Sequence, residues 1–81
     1  MKHVLLTPLQ AGQLLQSARK AAGRSQAELA PLVGLSQSRL SKLEQNPGTL
    51  TLDQLLALCG ALGLELTVQP RAEAAATGTE W

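Results

Sequence analysis

The chain has 81 residues, 44% of them hydrophobic, with no Phe or Tyr and its one Trp as the last residue. That length allows one domain near the lower limit for an independent core, so oligomerisation is an expected source of extra stability. The net charge is only +1, and a body without aromatic rings excludes the base-stacking strategy of single-strand and RNA binders. Cys59 is solitary, which excludes an internal disulfide and a Cys metal pair; it reads as a small buried residue in a reducing compartment. No segment approaches the ~20 apolar residues of a membrane span. MKHVLLTPL has too short an apolar run for a signal peptide. A cytoplasmic protein without membrane contact is expected.

Residues 2–6 are apolar and β-prone, a strand or an arm. Thr7-Pro8 reads as an N-cap followed by Pro at the first helical position. The first helix then runs to about Ala22, with Ala11, Leu14, Leu15, Ala18 and Ala22 as its buried stripe. Gly23 ends it.

Residues 25–44, SQAELAPLVGLSQSRLSKLE, are the stretch around which the chain is organised. Ser25 and Glu28 have capping-box spacing, and Leu29, Ala30 and Val33 recur at helical spacing. Pro31 falls inside this second helix, where it removes the bond to the Ala27 carbonyl, so a local kink or a tight first turn is expected. Gly34 stops the helix. Ser36 caps a third helix, about 37–45, that buries Leu40 and Leu43 and leaves Gln37, Ser38, Arg39, Ser41 and Lys42 open. Two short helices across a Gly-containing turn form a helix-turn-helix unit, whose second helix reads the major groove.

Asn46-Pro47-Gly48-Thr49 are all turn formers. Thr51 and Gln54 make another capping box, opening a fourth helix whose buried stripe is Leu52, Leu55, Leu56, Cys59 and Leu62, with Gly63 at its end. Leu58 widens that stripe beyond the needs of one helix, so part of it is expected to meet a second subunit. The period then changes to two. Leu64, Leu66 and Val68 alternate with polar residues up to Pro70, as in a strand with one apolar face. A lone strand needs a partner. Residues 2–6 are one candidate; the same strand in a second copy is the other. Leu58, Leu62, Leu64, Leu66 and Val68 are therefore the expected dimer contacts. Residues 1–70 form the domain, and residues 71–81 read as a disordered tail.

Charge is uneven along the chain. Between Arg19 and Lys42 lie five basic residues (Arg19, Lys20, Arg24, Arg39, Lys42) and one acid, Glu28. That is the electrostatic footprint of a phosphate binder. Enzymatic readings lack parts: there is one His, no carboxylate pair or Cys–His arrangement on neighbouring elements, no phosphate loop and no metal-ligand cluster. No cofactor is expected. For DNA, Gln26 opens the second helix and suits a phosphate. Ser36 and Gln37 open the third, Gln37 suits adenine, and Arg39 suits guanine or phosphate. Ser38, Ser41 and Lys42 supply nearby base or backbone contacts.

The set Arg19, Gly23, Ser25-Gln26, Glu28-Leu29-Ala30, Gly34-Leu35-Ser36, Leu40-Ser41 and Leu43-Glu44 resembles the lambda-repressor-like (Xre-type) DNA-binding family. The resemblance implies a mainly α domain of four to five helices. It also implies a structural ion pair between Arg19 and Glu44. Within that family, Glu44-x-Asn46-Pro47, the passage LLALCGALGLELTV and the ending Glu80-Trp81 look most like the HipB antitoxins. This implies a homodimer with strands paired across it, repression of its own operon at an inverted-repeat operator, and binding of a HipA-type serine/threonine kinase toxin. Glu80 and Trp81 are the expected toxin contacts. A free-standing Xre-type regulator without a toxin, and a helical adaptor that binds only protein, are the alternatives.

Overall fold

The computed structural model describes residues 4–71. Four helices follow in order: α1 (Pro8–Ala21), α2 (Gln26–Leu32), α3 (Gln37–Gln45) and α4 (Leu52–Ala61), with a 3₁₀ turn at Pro47–Thr49 between the last two. The mainly helical class and the helix-turn-helix order agree with the sequence.

Each helix begins where a hydroxyl residue satisfies a free N–H. The Thr7, Ser25 and Thr51 side chains each accept from the backbone N–H three residues on, and the side chains of Gln10, Glu28 and Gln54 accept in return. The Gln10 half of the first box is an addition to the sequence reading, which found only Thr7 and Pro8. Three helices also end alike. After α2, Leu35 N–H donates to the Ala30 carbonyl at 2.9 Å and Gly34 N–H to Pro31 at 3.3 Å. This is the paired closure that a left-handed residue allows, and Gly34 has φ of 70°. The same pair of bonds closes α1 at Gly23 and Arg24, and α4 at Gly63 and Leu64.

That closure explains why Pro31 is tolerated. It sits in the last turn of a seven-residue helix, and its carbonyl is used as an acceptor by Gly34. The backbone bond that Pro31 cannot make is the one to the carbonyl of Ala27, an exposed residue.

The core is Leu15, Leu29, Ala30, Leu40 and Leu58, with Val33, Leu35, Leu50, Leu55, Ala61 and Leu62 packed around it. The largest fully buried side chains are all leucine: Leu29, Leu40, Leu43 and Leu58. Cys59 is buried too, and desolvation raises its thiol pKa, so it is a packing group with little thiolate character.

Several expectations need correction. Leu58 is not an outer dimer contact, because it is 0% exposed within its own chain. It lies on the face with Leu55, Cys59 and Leu62 that closes the core. Leu52 and Leu56, placed in the buried stripe from sequence, are instead 65% and 47% exposed. Four residues apart, they form a second apolar row on a helix whose first row already fills the available core. Ala22 is also exposed, because it lies past the end of α1. Residues 64–70 have no regular secondary structure in the single chain, and among the described residues no strand pairs with residues 4–6. Leu66 and Val68 are left exposed there. Glu80 and Trp81 lie outside the described residues.

Candidate nucleic-acid interface

The interface starts from a buried ion pair. Arg19 near the end of α1 and Glu44 near the end of α3 are both under a tenth exposed. Arg19 Nε donates to Glu44 Oε2 at 2.8 Å and Nη2 donates to Oε1 at 3.1 Å. This two-point geometry matches the planar guanidinium to the carboxylate. Arg19 Nη1 also donates to the Arg24 carbonyl at 3.0 Å, holding the loop ahead of α2. Among the described residues no buried side-chain N or O lacks a partner. The pair expected from the family resemblance is therefore present, and it changes the charge map. Arg19 is neutralised inside the protein, so the exposed basic residues of the 19–42 stretch are Lys20, Arg24, Arg39 and Lys42.

Gln26, the first residue of α2, adds a third helix to this junction. Its Nε2 donates to Glu44 Oε1 at 3.0 Å. The sequence assigned Gln26 to a phosphate and gave no sign of this bond, since the two residues are far apart in the chain. Gln26 is half-buried, and it lines an open depression together with Gln37, Ser38, Ser41 and Lys42. So the fold brings five of the seven expected contact residues to one concavity. Ser36, the N-cap of α3, and Arg39, in its first turn, fall outside the lining, and both are exposed.

The start of α3 differs from every other helix start. Ser36 Oγ accepts from Arg39 N–H at 3.0 Å, but no return bond closes the box. The reason is chemical. Where the other helices carry Gln or Glu, α3 carries Arg39, and a guanidinium has no acceptor to offer. At the start of α2, by contrast, the Ser25 backbone N–H donates to Glu28 at 2.8 Å. That bond, the Ser25 hydroxyl and nearby Arg24 hold the Glu28 carboxyl below its ordinary 4.5. The start of α3, beside the depression, thus has a backbone donor without a return acceptor, a helix-dipole positive end and a cation. An acceptor-only anion complements that combination.

Sequence reasoning also missed Gly12. It lies on the buried face of α1, three residues before Leu15 and seven before Arg19, packed against the Glu44 carbonyl and the Pro47 ring. A glycine in a helix interior at the spacing of the buried stripe was the available signal. Among the described residues no cluster of three or more His, Cys, Asp or Glu is arranged to hold a metal, and no helix is long and apolar enough to cross a membrane.

A short α2 that turns at Gly34 into an α3 with an exposed polar face, both tied to α1 through the Arg19–Glu44 pair, defines a helix-turn-helix protein. The Helix-turn-helix family model matches residues 15–69, and the chain belongs to that family. The chain is 29% identical over 76 residues to antitoxin HipB of Escherichia coli (strain K12), covering 94% of this chain and 86% of that protein. Solved structures agree. A HipB variant in complex with the O2 20mer superposes with a TM-score of 0.79 at 28% identity, over 86% of this chain and 97% of that one. HipB in the HipA-HipB-O2-O3 complex gives a TM-score of 0.78 at 28% identity, over 85% and 97% of the two chains.

Proposed function

We propose that this chain is a sequence-specific, dimeric DNA-binding repressor that serves as the antitoxin of a HipA-type kinase and represses its own operon. The observation that carries the DNA reading is the open, cationic start of α3 beside the depression lined by Gln26, Gln37, Ser38, Ser41 and Lys42. In this reading the start of α3 enters the major groove, where Gln37 and Arg39 read base edges. Gln26, Ser36, Ser38, Ser41 and Lys42 meet neighbouring bases or phosphates. Likeness to HipB, which has been solved with the O2 20mer and with HipA, supports both halves of the proposal.

The dimer rests on apolar surface that the single chain leaves open. Leu52, Leu56, Leu66 and Val68 are all exposed, while Leu62 and Leu64 are half-buried beside them in sequence. In the proposed dimer, residues 64–69 pair with their two-fold mate, giving their backbone groups partners and covering the apolar side chains. Two recognition helices about 34 Å apart would then require an inverted-repeat operator.

Titrating salt against a duplex tests the DNA half. Affinity should fall steeply and linearly on a log–log plot as phosphate contacts release counterions, and a flat response would refute it. Co-purification with a HipA-type kinase tests the other half. There, deletion of residues 71–81 should speed dissociation of the kinase and leave operator binding unchanged, as expected if Trp81 and Glu80 dock on the toxin.

A further inference from the structure

The buried ion pair cannot touch DNA, yet its carboxylate holds a residue that can. We propose that Glu44 is a positioning residue for DNA binding, which fixes the side-chain amide of Gln26 so that an N–H, and not the carbonyl oxygen, is offered to a phosphate. This rests on the DNA-binding reading above and adds a residue to it.

Donor chemistry sets the orientation of the amide. A carboxylate paired with Arg19 only accepts hydrogen bonds. Gln26 must therefore turn its NH₂ group toward Glu44 Oε1, where the separation is 3.0 Å. A planar amide held at one N–H has lost its freedom to flip. Its second N–H is left to donate elsewhere, and Gln26 borders the depression on the α3 surface. Phosphate oxygens are likewise acceptors, so the fixed N–H matches them while the carbonyl oxygen would repel them. Released from Glu44, the amide would present either group.

The anchor is itself rigid. Glu44 is held at both oxygens by Arg19, at 2.8 and 3.1 Å, and Arg19 also holds the Arg24 carbonyl at 3.0 Å. One carboxylate thus sets the start of α2 against α1 and α3 together. Pre-orientation of this kind lowers the entropy lost on binding.

The test uses a duplex selected by the full-length wild type from a randomised pool. Gln26→Met and Glu44→Gln should each weaken that duplex by about tenfold, the size expected for one charge-assisted hydrogen bond. The double variant should be no more than about twofold weaker than either single one. Single methylphosphonate replacements should find a phosphate whose neutralisation weakens the wild type but neither single variant, a readout that simple loss of stability would not move. Additive losses, or a Glu44→Gln protein that still responds at that phosphate, would overturn the proposal while leaving DNA binding intact. A wild type that selects no duplex would instead refute the underlying reading, and the proposal with it. Should Glu44→Gln fail to fold, NMR of the free wild type decides. One Nε2 proton of Gln26 should exchange with water more slowly than either side-chain amide proton of exposed Gln37; equal exchange would overturn the proposal.

Discussion

Replacing Gly12 with Ala sets two familiar effects against each other. In a helix interior the change removes backbone freedom from the unfolded chain and ordinarily stabilises by about 0.5–1 kcal/mol. Here a Cβ at position 12 would lie 2.5 Å from the Glu44 carbonyl oxygen and 2.9 Å from Pro47 Cγ. Neither obstacle is the end of a flexible side chain: one is backbone, the other a ring on a buried residue. Relief requires α1 to move away from the junction of α3 and the 3₁₀ turn, and overpacking of this kind costs about 1–3 kcal/mol. The clash should win, for a net loss of about 1–2 kcal/mol, which in a domain this small lowers Tm by roughly 4–15 °C. Urea denaturation followed by circular dichroism measures it. Gly60→Ala is the control, since that glycine is exposed in α4 and its added Cβ would meet nothing within 4 Å. Position 60 should gain stability while position 12 loses it. If both variants were stabilised equally, close packing at Gly12 would be refuted.

Other expected outcomes follow from the same geometry. Gln37→Ala and Arg39→Ala should each cost about 1–3 kcal/mol on the cognate duplex and relax one base position; equal weakening on cognate and random DNA would reduce the residue to a phosphate contact. A double-mutant cycle on Arg19 and Glu44 should give strong coupling in stability, because removing one partner of a buried pair costs about 3–5 kcal/mol, and zero coupling would contradict the clamp. Leu66→Glu with Val68→Glu should turn a sedimenting dimer into a monomer at micromolar concentration; an unchanged mass would exclude that surface. Glu28 has a depressed folded-state pKa, so its contribution is complete above its unfolded value near 4.5 and fades as pH falls through the lower folded value. Acid titration should therefore loosen the start of α2 only below that range, and Glu28→Gln should remove this pH-dependent part.

Caps and stops were the most legible features of the sequence. Ser25, Ser36 and Thr51 begin helices where the spacing places them, and Gly23, Gly34 and Gly63 follow their ends, because these signals act through neighbours in sequence. The Arg19–Glu44 pair was accessible only through family resemblance, since no local rule links residues so far apart. Gln26 to Glu44 was invisible for the same reason. The assignment of Leu58 failed because periodicity marks an apolar face without saying how much core remains to cover it. Leu58 filled that space, and Leu52 and Leu56 were left outside. The alternation of residues 64–69 is a pattern that a single chain cannot satisfy with its own described segments.

The missing half of the cap on α3 has a consequence for anyone trying to make this protein hardier. Helices starting at Pro8, Gln26 and Leu52 carry a reciprocal acceptor, and among the described α-helices only α3 does without one. A search guided by thermal tolerance alone would find Arg39→Glu or Arg39→Gln attractive, since either supplies the absent acceptor and Glu also suits the helix dipole. Either substitution would also fill, with the protein's own atoms, the donor that an incoming phosphate backbone would use. Under the DNA-binding proposal, selection for heat resistance and selection for DNA binding would therefore pull position 39 in opposite directions.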